Sequence, residues 1–163
     1  MCKSTKFSIF TFMLLTTLWI AIDLYSRSNG SGISGLTGSN SDGCYCHTSS
    51  SSSATSLSVS SNTGSFKFKP GEEVSFTVSV TNSNNPKAGV NIAVKTSETG
   101  SSNAGTLSFE SGTGLRTENG EITHSTPKSL SANKVDFVVK WTAPNTPGIY
   151  YFRAISNVVD GNG

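Results

Sequence analysis

The sequence predicts an all-β protein: an antiparallel, immunoglobulin-like β-sandwich preceded by an N-terminal signal helix and a flexible linker. Three observations support this prediction. Apolar and polar residues alternate with period two in several segments, which is typical of half-buried strands. Turns that contain Gly and Pro separate those segments. Outside the leader, no apolar pattern of useful length follows the helical period of 3.6 residues.

Each predicted strand presents one apolar face, which is what two packed sheets require of their strands. The clearest example follows the turn at residues 69–72, where valine and phenylalanine alternate with serine and threonine. A weaker strand is predicted at residues 106–109. The apolar positions of the other predicted strands are Leu57 and Val59; Val74, Phe76, Val78 and Val80; Val90, Ile92 and Val94; Val135, Phe137, Val139 and Trp141; and Tyr150, Phe152 and Ala154.

The composition excludes several classes of protein. Of the 163 residues, 34% are hydrophobic and 13% are charged, against averages of about 45–50% and about 25%. A net charge of +2, spread along the chain, does not provide the clustered positive surface that binds a nucleic acid, so no nucleic-acid partner is predicted. A single long apolar run excludes a polytopic membrane protein. The length suits one domain of ordinary size.

Residues 1–25 are predicted to be a signal peptide or a signal-anchor. Residues 7–22 are uncharged and largely apolar, and Lys3 and Lys6 precede them. A basic head before such a run directs the following chain out of the cytoplasm. No A-x-A cleavage site follows the run, which counts against a cleaved signal peptide. The run is also slightly short for a membrane span, which counts against an anchor, so both interpretations stay open. Membrane contact is expected only through this segment if it is uncleaved, or through a C-terminal anchor beyond the sequence.

Residues 26–53 are predicted to be a Gly/Ser-rich linker that contains the motif Cys44-Tyr45-Cys46-His47. Residues 54–163 are predicted to be the sandwich domain. The sequence stops in a turn-like stretch directly after an apolar strand, so we expect the natural protein to continue beyond Gly163.

Three stretches together resemble a known family. They are residues 35–38 leading into Cys44-Tyr45-Cys46-His47; residues 120–128; and Trp141-Thr142-Ala143-Pro144 followed by Gly148 and residues 157–163. In this order they resemble the bacterial choice-of-anchor V domains, which are related in outline to Reeler (reelin-type) domains. The resemblance covers residues 35–163 and implies a Reeler-like β-sandwich that is secreted or displayed on the cell surface, with no known enzymatic reaction. Many members carry C-x-x-C-H, the pattern that attaches c-type haem, whereas this chain has only Tyr45 between its cysteines.

Three hypotheses remain open for the cysteine motif. In a c-type haem site, Cys44 and Cys46 would form the thioethers, His47 would be the proximal ligand and His124 the distal one. In a transition-metal site, the same four residues would bind zinc or copper. In the third, Cys44 and Cys46 form a strained disulfide or pair with other chains. The one-residue spacing counts against haem and against zinc. The intact mass of the exported protein separates the three, because it reports both cysteine state and bound cofactor.

Outside the motif, His124 is the only other imidazole, and its alternative role is that of a partly exposed hydrogen-bonding residue near a strand end. No G-x-S-x-G elbow is present, and the carboxylates are scattered. No catalytic residue is therefore predicted. The aromatic residues sit at strand spacing and are interpreted as core rather than as a sugar platform.

The sequence therefore predicts an exported module, secreted or on the cell surface and possessing no enzymatic activity, whose role is binding, adhesion or surface structure. Its partner is an unidentified surface ligand or protein. The alternative is an extracellular electron-transfer or metal-binding module that uses haem c or a transition metal at Cys44, Cys46, His47 and His124.

Overall fold

The alternating segments of the sequence form antiparallel strands in the computed structural model, which describes residues 30, 32–37 and 52–161. Within these residues there is no helix, and two sheets pack face to face, which confirms the predicted all-β sandwich. The strands are β1 (Thr55–Ser61), β2 (Glu73–Asn82), β3 (Lys87–Lys95), β4 (Thr106–Ser108), β5 (Leu115–Glu118), β6 (Glu121–His124), β7 (Lys128–Ser129), β8 (Lys134–Thr142) and β9 (Tyr151–Val159).

The first sheet has the strand order β1-β2-β8-β4, and its central pair shows why the alternation predicts the fold. In the β2–β8 register, Val78 lies opposite Phe137 and Val80 opposite Val135, so the apolar residues of both strands share one face. The other face carries serine, threonine and charged residues, together with the exposed Val138. Both strands therefore bury alternate side chains in the core, as period-two burial requires.

The second sheet is built around β3. The full length of β9 pairs with one edge of β3, and β6 and β7 pair with the other edge, with β5 beyond β6. Every residue of β3 from Ala88 to Lys95 is buried. One face of β3 supplies Val90, Ile92 and Val94 to the core between the sheets. Its other face is covered as well, which the alternation alone does not predict.

A short part of the predicted linker contacts the second sheet. This N-terminal segment, residues 30 and 32–37, is bonded to β3 and β6: the Asn91 amide donates to the Ile33 carbonyl at 2.7 Å, and the Thr123 hydroxyl donates to the Gly30 carbonyl at 3.1 Å. A Cβ at Gly30 would lie 2.2 Å from the Thr123 hydroxyl, so the contact requires glycine. The composition predicts a free linker, whereas these residues are held by polar groups of the sheet.

The predicted leader at residues 1–25 lies outside the described residues. In the part of the chain that is described, no helix is long and apolar enough to span a lipid bilayer.

Candidate functional site

The predicted ligands are only partly described by the structure. Cys44, Cys46 and His47 lie outside the described residues, so haem attachment, metal binding and the disulfide all stay predictions for them. His124 is described, at the end of β6. Among the described residues, no group of three or more His, Cys, Asp and Glu side chains is placed to hold a metal ion.

His124 fills a gap in the second sheet. The β3–β6 pairing ends at Asn91 and Thr123, and the β3–β7 pairing begins at Ala88 and Lys128. Two residues of β3 therefore face four residues, 124–127, of the opposite chain. Such a bulge interrupts the ladder and leaves backbone groups to be satisfied in another way.

The imidazole of His124 supplies that replacement. Its Nδ1 lies 3.1 Å from the Val90 nitrogen and 3.2 Å from the Val90 oxygen, so it accepts or donates according to its tautomer. A Cβ at Gly89 would lie 2.5 Å from the ring, so only glycine allows the ring to approach β3 this closely. The residue is 7% exposed, not partly exposed as its place near a strand end suggests. Nδ1 is thus engaged by the protein itself, and only Nε2 is left for the predicted ligand role.

Burial gives His124 a pH-dependent role in stability. Desolvation lowers the pKa of His124, the nearby Arg116 lowers it further, and the hydrogen bond to Val90 opposes both effects. Because the folded pKa lies below the unfolded one, the unfolded chain takes up the proton first as the pH falls. The stabilisation from the neutral imidazole is therefore complete above the unfolded pKa of about 6.5 and is lost as the pH drops below it.

We expect the free energy of unfolding to be lower at pH 5 than at pH 7.5, and His124→Asn to reduce that difference. Urea titrations at the two pH values measure it. Asparagine keeps a polar atom at the position of Nδ1, so the variant removes the titration while retaining a partner for Val90. Asp136, whose pKa is lowered by the Ser79 hydroxyl, affects stability only near and below its unfolded pKa of about 3.9. If His124→Asn lost as much stability between pH 7.5 and pH 5 as the original protein does, the role given to His124 would be contradicted.

A buried ion pair holds the outer face of the same sheet together. The Lys95 ammonium lies 2.6 Å from the Glu121 carboxylate, and both side chains are almost completely buried. The ammonium also donates to the Ser101 carbonyl and to the Asn103 side chain. The second oxygen of Glu121 accepts from the Asn91 amide and from the backbone N–H of Gly35, which ties the N-terminal segment to the pair.

Glu121 was not singled out from the sequence, where it is one of several scattered carboxylates. Lys95 follows the alternation of β3 onto the face opposite Val94, and Glu121 lies in the strand next to β3. The only available signal was a lysine at the end of an apolar strand. Ionised side chains buried in this way are retained when they are paired and hydrogen-bonded, and here both conditions hold.

A cleft of about 740 Å³ opens at one end of the sandwich. We call it the aromatic cleft. It lies between the β1–β2 connection, residues 62–72, and the β8–β9 connection, residues 143–150, and it reaches Val59 and Val94 between the two sheets. Its lining residues are Val59, Phe66, Lys67, Phe68, Lys69, Pro70, Phe76, Val94, Trp141, Ala143, Pro144, Thr146, Pro147, Gly148, Ile149, Tyr150, Tyr151 and Phe152.

The floor of the aromatic cleft is buried, and its rim is exposed. Phe76 is buried and contacts four rings: its ring centroid lies 4.7 Å from that of Phe152, 5.7 Å from Phe68, 6.1 Å from Phe66 and 6.2 Å from Trp141. At the rim, Phe66 is 62% exposed and Ile149 is 77% exposed. Among the described residues, these two are the most exposed large hydrophobic side chains.

The sequence predicts several of the lining residues, but as core residues rather than as parts of a cleft. Phe76, Trp141, Tyr150 and Phe152 were predicted to be core, and Phe76 and Trp141 are indeed buried. The rim was missed, because Phe66 precedes the turn at residues 69–72 and Ile149 lies in the loop before β9. The available signal was the alternation Phe-Lys-Phe-Lys at residues 66–69 outside any predicted strand.

The chain is similar to solved structures of Reeler domains. Two crystal structures of the human F-spondin reeler domain match with 18% and 19% identity over 67% and 68% of this chain and 77% and 81% of theirs, each with a TM-score of 0.43. A crystal structure of the Reelin-N domain of F-spondin matches with 19% identity over 66% of this chain and 72% of its own, with a TM-score of 0.44. No family model matches the sequence, and no curated protein matches it.

Proposed function

We propose that this chain is an exported module, secreted or on the cell surface, with a non-enzymatic role, and that it binds its ligand in the aromatic cleft. The observation that supports binding is the combination of a deep apolar opening with two exposed apolar side chains, Phe66 and Ile149, at its rim. A concave, mostly apolar site with a few polar groups is the usual form of a small-molecule site. Export follows from the leader predicted at residues 1–25.

The chemistry of the lining supports binding rather than hydrolysis. Among the residues that line the cleft there is no carboxylate, imidazole or thiol, and the polar side-chain groups are hydroxyls, the Trp141 indole N–H and two lysine ammonium groups. The buried titratable residues His124 and Glu121 are engaged elsewhere, with the backbone of Val90 and with Lys95. We also propose, on the three sequence motifs alone, that the chain is related to the bacterial choice-of-anchor V domains.

We expect the purified exported protein to bind the neutral fluorescent probe N-phenyl-1-naphthylamine, and Phe66→Ala to weaken binding about tenfold. Burying a side chain of this size stabilises by about 1.5–3 kcal/mol, and 1.4 kcal/mol is a factor of ten in affinity. Fluorescence titration measures the dissociation constant.

A matched control is Val138→Ala, because Val138 is 46% exposed on β8 and does not line the cleft. This variant should bind the probe as the original protein does. Absence of probe binding, or equal losses in the two variants, would remove the aromatic cleft as the binding site.

A further inference from the structure

The two lysines of the aromatic cleft are its only charged lining residues. The ammonium groups of Lys67 and Lys69 form no ion pair with any carboxylate of the described residues, whereas Lys95, Lys134 and Lys140 each pair with one. Both lysines are exposed at the rim, beside Phe66 and Phe68.

No carboxylate of the lining offsets these two charges. Glu72 follows Lys69 closely in the chain, but its carboxylate accepts a hydrogen bond from the Lys69 backbone N–H at 2.7 Å, and Glu72 is not among the lining residues. The mouth of the cleft therefore carries two unpaired positive charges next to an apolar interior. An anionic group seated there would make charge-assisted hydrogen bonds with the ammonium groups.

The interior of the cleft suits a hydrocarbon chain better than a sugar. The Trp141 indole N–H donates to the Ala104 carbonyl, and the Tyr150 hydroxyl donates to the Thr146 carbonyl, so these groups are already used by the protein. The lining contains no Asn, Gln, Asp or Glu. A saccharide would bury many hydroxyls without partners, which is unfavourable, whereas methylene groups need none.

We propose that the aromatic cleft binds a single-chain anionic amphiphile. The hydrocarbon chain occupies the space between the sheets, and the terminal carboxylate lies between the ammonium groups of Lys67 and Lys69. This inference rests on the proposed function, since it names the ligand class of the same cleft. The volume of about 740 Å³ falls within the range of about 300–1,000 Å³ that is usual for ligand pockets.

The test displaces N-phenyl-1-naphthylamine from the purified exported protein at pH 7.5 with three ligands of equal chain length. They are dodecanoate, 1-dodecanol and dodecyltrimethylammonium, each below the concentration at which it aggregates. We expect dodecanoate to displace the probe at a concentration at least about tenfold lower than dodecanol, and the cation to be the weakest. Added salt should reduce the preference for dodecanoate, because the lysines are exposed and their charges are screened.

The variant Lys67→Gln with Lys69→Gln should abolish the preference for dodecanoate over dodecanol, measured by displacement of the same neutral probe. The matched control, Lys87→Gln with Lys134→Gln, removes the same charge from residues that do not line the cleft and should keep the preference. If dodecanol competes as well as dodecanoate, or if the Lys67/Lys69 variant keeps the preference, the inference is overturned while cleft binding stands. If the neutral probe itself does not bind, the proposed function fails first.

Discussion

Glu121→Gln is expected to destabilise the folded protein by about 3 kcal/mol. The substitution preserves the shape of the side chain but leaves the buried Lys95 ammonium without its counter-charge. Breaking a buried ion pair by removing one partner typically costs about 3–5 kcal/mol, because an uncompensated charge stays in a poorly solvated place. The hydrogen bonds from Lys95 to the Ser101 carbonyl and the Asn103 side chain keep the expected loss at the lower end. Urea unfolding at pH 7 measures the change.

Two controls separate the buried charge from other effects. Glu110→Gln removes a carboxylate from the exposed pair with Lys140, whose nitrogen and oxygen lie 2.5 Å apart, and should leave the unfolding midpoint unchanged. Lys95→Met combined with Glu121→Gln removes both charges and should recover part of the stability. A loss below about 1 kcal/mol for Glu121→Gln alone would show that the pair does not act as a buried pair.

Phe76→Ala is expected to destabilise the protein by about 3–5 kcal/mol, the usual cost of truncating a buried phenylalanine. Phe76 is 2% exposed and touches Phe66, Phe68, Trp141 and Phe152, so its removal leaves a cavity that these rings line on several sides. Thermal or urea unfolding measures the loss, and probe binding should weaken with it because the floor of the cleft is gone.

Phe66→Ala is the matched control for Phe76→Ala. It removes the same side chain from the exposed rim of the same cluster, and its effect on stability should stay within about 0.5 kcal/mol. This contrast also makes Phe66 the suitable position for a binding test. Equal stability losses at the two positions would mean that the rim and the floor of the cleft are not distinct.

The sequence predicted the strands whose burial alternates regularly. In β2 and β8 the apolar residues recur every second position, and the structure places them on one face in register, with Val74 opposite Trp141 and Phe76 opposite Val139. Period two follows from strand geometry itself, so the pattern is visible without knowing which strand is the neighbour. β9 begins at Tyr151, one residue after the predicted start.

The strands at the β6 and β7 edge of β3 were not predicted. β5, β6 and β7 span four, four and two residues, and they contain Arg, Glu, Thr and Lys. Short polar strands carry little periodic signal. β6 and β7 are strands here because β3 offers its backbone along that edge, and β5 pairs in turn with β6. Residues 120–128 were interpreted as a motif of the resembled family and were not predicted to form strands.

The candidate sites also combine features that the sequence predicts with features that depend on tertiary contacts. His124 was identified as a ligand candidate because histidine is rare in this chain, but its contact with Val90 depends on a bulge that arises from two separate pairings of β3. The composition of the N-terminal segment, which is rich in Gly and Ser, predicts a linker. Its bonds to Asn91, Glu121 and Thr123 use backbone groups of the segment, which any sequence carries, so composition gives no sign of them.

The sequence by itself determined that this protein is a β-sandwich, because alternation along one strand is a local property that the core and the solvent impose on each strand separately. Tertiary structure alone decided that Lys95 meets Glu121 and that Phe66 and Ile149 frame one aromatic cleft. These contacts join residues that are far apart in the chain, and they depend on the order of strands in each sheet and on where the connecting loops pass. The ion pair and the cleft therefore emerge only when the two sheets are assembled.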